Sequence, residues 1–204
     1  MSDHVSRRKF MRGAGIGGIG LVIGGLIGYT AQSSVSEEAK PCVETKAPNF
    51  TLPSTYDRDI SLVEYKGKYV VLVFYPEDFT PVCSSEIPRF NAEISKFEEL
   101  DAQVLGISVQ SVESHEKWIE ELGGLEYPLL SDVNKEVSRK YGVLRPDGSV
   151  ALRGTFIIDP DGVIQFLNVH NMEVGRSVEE ILRVLEAIQT GELCPVEWSK
   201  TTST

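Results

Sequence analysis

Cys83 stands in the run Pro76-Glu77-Asp78-Phe79-Thr80-Pro81-Val82-Cys83-Ser84-Ser85-Glu86. Just before this run, Tyr69–Tyr75 (YVVLVFY) is unbroken β-branched and aromatic sequence, which predicts a strand buried on both faces. Just after it, apolar residues recur at Ile87, Phe90, Ile94, Phe97 and Leu100, at spacings of three and four, which predicts an amphipathic helix over Ser84–Leu100. Cys83 therefore falls at a strand-to-helix junction. The first N–H groups of a helix lack intrahelical partners and carry the positive end of its dipole. A thiol placed there is shifted toward the thiolate, which is the nucleophilic form. Thr80, three residues earlier, can put a hydroxyl on the same side of the loop. The residue types and their spacing thus describe a sulfur nucleophile with a hydrogen-bonding partner at one helix mouth.

Arg153 is the next candidate, because it lies in the apolar strand Leu152–Ile158. An unpaired guanidinium is costly in such a place. It is expected both to pair with a carboxylate such as Glu86 and to support the sulfur and its substrate. The remaining cysteines are Cys42 and Cys194. Three cysteines without a C-x-x-C exclude a dense disulfide framework and, by their spacing, count against a structural zinc site and a thioredoxin-type oxidoreductase. His4, His115 and His170 are not expected to bind metal, and His115 and Trp118 read as packing residues.

Around these residues the chain alternates its periods. Gln103–Val109 reads as a strand, Val112–Leu122 as a helix and Asn134–Tyr141 as a short helix. Asp159-Pro160-Asp161-Gly162 is a turn between the strand ending at Ile158 and a further strand, Val163–Val169. Ser177-Val178-Glu179-Glu180 reads as a capping box opening a last helix whose core face is Ile181, Leu182, Val184, Leu185 and Ile188. This order gives an α/β architecture, a mixed central sheet flanked by helices, similar to the thioredoxin fold.

Pro76-x-x-x-Thr80-x-x-Cys83 resembles the signature of the peroxiredoxins. The resemblance runs from about Ala47 to Trp198. It includes His115-x-x-Trp118, the Arg of Leu152-Arg153-Gly154-Thr155-Phe156, Val174-Gly175-Arg176-Ser177, and Gly191-Glu192-Leu193-Cys194-Pro195 with Trp198. That last segment resembles the typical two-cysteine subgroup, which includes thiol-specific antioxidant and the C subunit of alkyl hydroperoxide reductase. Pro81 and Ser84-Ser85 depart from the commoner residues of the subgroup. The resemblance implies a peroxidase acting on hydrogen peroxide and organic hydroperoxides. Cys83 would be the peroxidatic residue, Cys194 the resolving one, and Thr80, Arg153 and Pro76 would bind, orient and shield the peroxide. It further implies a disulfide between subunits of a head-to-tail homodimer, the unit from which decamers assemble, and an external thioredoxin-like dithiol as reductant. No cofactor or metal is implied. The rival reading is a membrane-tethered redox sensor or holdase using the same cysteines.

The composition agrees. The 204 residues carry 20 Lys and Arg against 30 Asp and Glu, net −10, which argues against nucleic acid as partner. The N-terminus differs from the rest. Arg7, Arg8, Lys9 and Arg12 precede Gly13–Tyr29, 17 uncharged residues of which eight are Gly. Ser6-Arg7-Arg8-Lys9-Phe10-Met11 before a weakly apolar stretch resembles a twin-arginine export signal. A helix of this length spans about 25 Å, short of a roughly 30 Å hydrocarbon core. Residues 1–33 are therefore expected to be an export signal or anchor and 34–46 a linker, with the folded domain at 47–204. Membrane contact is expected only through 13–29, and the working location is expected to be extracytoplasmic.

Overall fold

The computed structural model describes residues 40–199. The signal-like segment 1–33 lies outside the described residues. The expected linker is described from Lys40, and its end is already tied to the domain: Glu44 N–H donates to Ile164 O and Ile164 N–H to Thr45 O, at 2.8 and 2.9 Å.

A two-stranded antiparallel hairpin, β1 (Thr51–Pro53) and β2 (Asp59–Ser61), opens the domain and leads into a 3-10 turn, Leu62–Tyr65. β3 (Tyr69–Phe74) follows, then α1 (Pro81–Ala92) and α2 (Ile94–Glu99), β4 (Ala102–Ser108) and α3 (Val112–Leu122). The chain continues through β5 (Leu129–Ser131), α4 (Glu136–Lys140), β6 (Arg153–Ile158), β7 (Ile164–His170) and α5 (Val178–Thr190). The main sheet has the order β5-β4-β3-β6-β7. β3 pairs parallel with β4 and antiparallel with β6, so the sheet is mixed and β3 is central.

The alternation of side chains along β3 explains the two cores. Val71, Val73 and Tyr75 face a cluster built with Ile87, Phe90 and Phe97 of α1 and α2, Trp118 of α3, and Ile181 and Leu185 of α5. Val70, Leu72 and Phe74 face the other cluster, with Ile60, Leu62, Val137, Tyr141 and Phe156. Apolar residues on both faces are what a central strand requires. Among the described residues no helix is long and apolar enough to cross a membrane.

Three details differ from the sequence expectations. The helix expected over Ser84–Leu100 is two helices that meet at Glu93 (φ −109°, ψ 11°), whose buried carboxylate holds Arg89 and Lys96. Side-chain spacing carries across such a break and so conceals it. The strand Leu129–Ser131 and the β1–β2 hairpin, at three residues each, are too short to show a period. The capping box at Ser177 is half formed: Ser177 Oγ accepts from Glu180 N–H at 3.1 Å, while the Glu180 carboxylate turns outward to Arg183 at 2.6 and 2.7 Å.

Candidate active site

β3 delivers the chain to the carboxyl edge of the sheet, and the loop Pro76–Thr80 turns it back into α1. Phe79 carries the sharp part of this turn with φ +59°, in the left-handed region that a non-glycine residue rarely adopts. Thr80 is the N-cap of α1, with extended backbone, and Pro81 occupies the first turn, where its missing N–H costs nothing. The helix therefore begins earlier than Ser84, and Cys83 lies inside its first turn, fully buried. Thr80 Oγ1 does not cap the helix; it donates to Glu77 O at 3.1 Å, which leaves its lone pairs free to accept.

Arg153, the first residue of β6, reaches the sulfur. Its Nη1 donates to Cys83 Sγ at 3.2 Å and to Glu86 Oε2 at 2.8 Å, and its Nε donates to Met172 O at 2.8 Å. Both partners are expected for Arg153 from the sequence, and the guanidinium takes both. Glu86 lies one helical turn after Cys83. It also accepts from Arg176: at Oε1 from the backbone N–H (2.7 Å) and Nε (2.8 Å), and at Oε2 from Nη2 (2.9 Å). Arg176 Nη1 donates further to Phe74 O and Gly154 O, each at 2.9 Å. Burial pushes the Glu86 carboxyl up, but hydrogen bonds and charge from Arg176, with help from Arg153, hold it below its ordinary value. The result is a buried Arg–Glu–Arg cluster in which one carboxylate fixes two guanidinium groups and one of them touches the sulfur. The positive charge of Arg153 and the N-terminus of α1 thus both lie at the Cys83 sulfur.

Sequence reasoning quoted Arg176 only as part of a motif and gave it no role. A signal was present: a cation immediately before a helix N-cap opposes the dipole unless a carboxylate meets it.

A second buried cluster fixes the loop from behind. Asp78 accepts from Tyr75 Oη at 2.9 Å and from Ser114 Oγ at 2.6 Å, and lies 2.9 Å from His115 Nδ1. His115 Nε2 faces Leu130 O at 3.3 Å, so both ring nitrogens have acceptors. Burial and the Asp78 charge raise the Tyr75 hydroxyl far above its ordinary value, so it remains a donor. Trp118 packs on Tyr75 and Phe79. His115 thus does more than fill space: with Ser114 it ties the Pro76–Thr80 loop to α3.

Pro76, Thr80 and Arg153 line one cleft of about 570 Å³, and the fully buried Cys83 meets it through Arg153. Four of the five expected site residues therefore converge. Cys194 does not join them within the chain. Arg176, at the start of α5, packs on Glu86, whereas Cys194 follows the end of that helix, which is 13 residues long. Such a helix spans about 20 Å, against the roughly 4.4–6.8 Å between Cα atoms that a disulfide needs. Cys194 Sγ rests near Thr190 Oγ1 (3.5 Å), Glu192 O (3.5 Å) and Ala187 O (3.8 Å), flanked by the exposed Leu193 and Val196. Cys42 is exposed beside β7, and its backbone is closed by Thr45. Among the described residues no group of His, Cys, Asp and Glu could hold a metal ion.

This geometry meets a family pattern. Residues 43–167 match the model of the AhpC/TSA family. The chain belongs to this family. It is 51% identical over 166 residues to a putative peroxiredoxin ycf42 of Porphyra purpurea, covering 74% of this chain and 83% of the relative. It is 45% identical over 179 residues to the chloroplastic 2-Cys peroxiredoxin BAS1 of Hordeum vulgare, covering 81% and 85%. Among solved structures, the reduced 2-Cys peroxiredoxin of Plasmodium vivax superposes with a TM-score of 0.73 at 40% identity, covering 78% of this chain and 89% of that one. For an AhpC/TSA protein, the mixed sheet and its flanking helices are the thioredoxin-like fold expected from the sequence, and the activity is that of a thiol-dependent peroxidase.

Proposed function

We propose that Cys83 carries the peroxidase reaction and that Cys194 of a second subunit completes it. The single observation behind this reading is Arg153 Nη1 lying 3.2 Å from Cys83 Sγ while anchored on Glu86. The Cys83 thiolate attacks the terminal oxygen of a hydroperoxide in line with the O–O bond. A sulfur–oxygen bond forms, the O–O bond breaks, and the departing hydroxide or alkoxide takes a proton from solvent. Arg153 and the first-turn N–H groups of α1 stabilise the charge that moves onto the departing oxygen, and Thr80 Oγ1 accepts a hydrogen bond from the peroxide. Pro76 keeps water from one side. The product is a sulfenic acid on Cys83. The Cys194 thiolate of the partner then attacks that sulfur: the S–S bond forms, the S–O bond breaks, and the departing hydroxide takes a proton from solvent, giving a disulfide that a thioredoxin-like dithiol reduces by exchange.

The span of α5 supports a partner in this step, because one chain cannot bring its own two sulfurs together without large rearrangement. A homodimer is the minimum assembly, and decamers built from it fit the same scheme. The test is a non-reducing gel of peroxide-treated protein in a Cys42→Ser background. A covalent dimer is expected, and it should disappear in Cys83→Ser and in Cys194→Ser. A monomer with both cysteines joined internally would refute the cross-subunit step.

We also read residues 1–33 as a twin-arginine export signal, carrying the folded domain to the outer side of the membrane. The support is Arg7-Arg8 followed by the uncharged Gly13–Tyr29 stretch. Replacing both arginines by Lys should shift the protein toward the cytoplasmic fraction. An unchanged distribution would contradict the export reading.

A further inference from the structure

We propose that the mouth of this site selects uncharged organic hydroperoxides over anionic ones, with Glu77 and Glu173 as the specificity-determining carboxylates. The proposal rests on the peroxidase reading above and names the substrate class of that same site.

Two features carry it. The first is room. The cleft walled by Arg153, Thr80 and Pro76 holds about 570 Å³, whereas a water molecule takes a share of about 30 Å³ in the liquid. Hydrogen peroxide would leave most of that space empty. Much of the wall is apolar, from Pro81, Val82, Leu152 and Met172, so it can cover the carbon body of an organic hydroperoxide.

The second feature is the sign of the rim. Glu77, Glu173 and Arg145 are the charged side chains at the opening, with Arg153 at the floor. Arg145 is already paired with Asp147 at 3.2 Å. Arg153 is committed to Glu86 and to the sulfur. Glu77 and Glu173 are both exposed, and among the described residues their carboxylates have no hydrogen-bond or ion-pair partner. Glu77 uses only its carbonyl, toward Thr80, and Glu173 only its N–H, toward Asn171. In the peroxidase reading the reacting form of Cys83 is the anion held by Arg153, which balances the excess positive charge of the Arg–Glu–Arg cluster. An incoming carboxylate therefore meets two uncompensated negative charges at the rim and no free cation below. Residues 34–204 add to this repulsion, since they carry 16 basic and 29 acidic residues, net −13.

The size of the effect follows from Coulomb's law in water. Two unit charges about 8 Å from a substrate carboxylate slow its approach about fivefold at low ionic strength. The effect should fade as salt shortens the Debye length from about 10 Å at 0.1 M to about 3 Å at 1 M.

The experiment uses a matched pair, the hydroperoxide of a short-chain carboxylic acid and its methyl ester, with hydrogen peroxide in parallel. Single-turnover oxidation of the reduced full-length protein is followed at low and high salt, and repeated with the Glu77→Gln, Glu173→Gln double variant. The ester should react about fivefold faster than the acid at low salt. The ratio should approach one at high salt and fall clearly below the parent value in the double variant. Equal rates for acid and ester in the parent protein, or a ratio that the double variant leaves unchanged, would overturn the proposal. If that happens while hydrogen peroxide still oxidises Cys83, the peroxidase reading stands and only the rim proposal falls. Failure of all three peroxides would remove both.

Discussion

Replacing Arg153 by Met and, separately, Arg176 by Met should split rate from stability, because the two guanidinium groups share one carboxylate but hold different things. Glu86 accepts four hydrogen bonds, three from Arg176 and one from Arg153. Arg176 also satisfies the buried carbonyls of Phe74 and Gly154. Removing its guanidinium breaks a buried ion pair from one side, which costs about 3–5 kcal/mol. Removing that of Arg153 leaves Glu86 neutralised by Arg176, and the loss is closer to one charge-assisted hydrogen bond, about 1.5–3 kcal/mol. Arg153 is the group on Cys83 Sγ, however, and losing one donor of this kind slows a reaction by about 100- to 1,000-fold. Arg153→Met should therefore be the better folded and slower variant. Arg176→Met should be the less stable one and, where folded, should keep its rate within about tenfold, equivalent to about 1.4 kcal/mol. Urea midpoints measure the first quantity. Stopped-flow oxidation of the reduced protein by hydrogen peroxide measures the second. Arg176→Lys gives a graded version if the Met variant does not fold. Near-wild-type rate in Arg153→Met, or equal losses in both variants by both measures, would refute this division of labour.

The depressed Glu86 carboxyl sets an acid limit. Its contribution to stability is complete above the ordinary carboxylate value, about 4.3, and is lost as pH falls through the lower folded value. Urea midpoints should drop below pH 4 in the parent protein, with a smaller drop in Glu86→Gln, which starts from a lower midpoint; parallel curves would exclude Glu86 as the source. Asp78→Asn weakens the tie between the peroxide loop and α3 and should cost about 1–3 kcal/mol, read as a lower urea midpoint, while a distant exposed change such as Asp161→Asn should leave the midpoint in place. The Cys194 segment is mostly exposed, Leu193 and Val196 almost fully so, and that segment should open readily. Intact-mass measurement during turnover at rising peroxide should show disulfide ahead of sulfinic acid on Cys83; prompt sulfinic acid at low peroxide would show that the segment opens slowly.

The placement of Cys83 was legible because strand and helix have different periods and the switch between them falls at Pro76–Thr80. Arg153 was legible as a charge in an apolar strand. Arg176 was legible only as a cation before a helix N-cap; its partners Glu86 on α1, Phe74 on β3 and Gly154 on β6 were not, because no local period encodes a tertiary hydrogen bond. The same holds for Asp78: its partners Ser114 and His115 lie on another helix, and a buried His reads from sequence like any other core-facing residue. The break at Glu93 escaped because apolar residues at Phe90, Ile94 and Phe97 continue in phase across it. The reach of Cys194 follows only once α5 is seen to run from Val178, just after Arg176 at the site, to Thr190 at its far end.

The most direct test of the central claim is to mix reduced Cys194→Ser protein with one equivalent of hydrogen peroxide and follow both peroxide loss and the state of Cys83. Without the resolving thiol the reaction should stop at one oxygen per chain, with the sulfenic acid on Cys83 captured by a 1,3-dicarbonyl reagent and located by peptide mass. The same treatment of Cys83→Ser should consume no peroxide and leave Cys42 and Cys194 unlabelled. Stoichiometric peroxide loss in Cys83→Ser, or label on another cysteine in Cys194→Ser, would contradict the assignment of the reaction to Cys83.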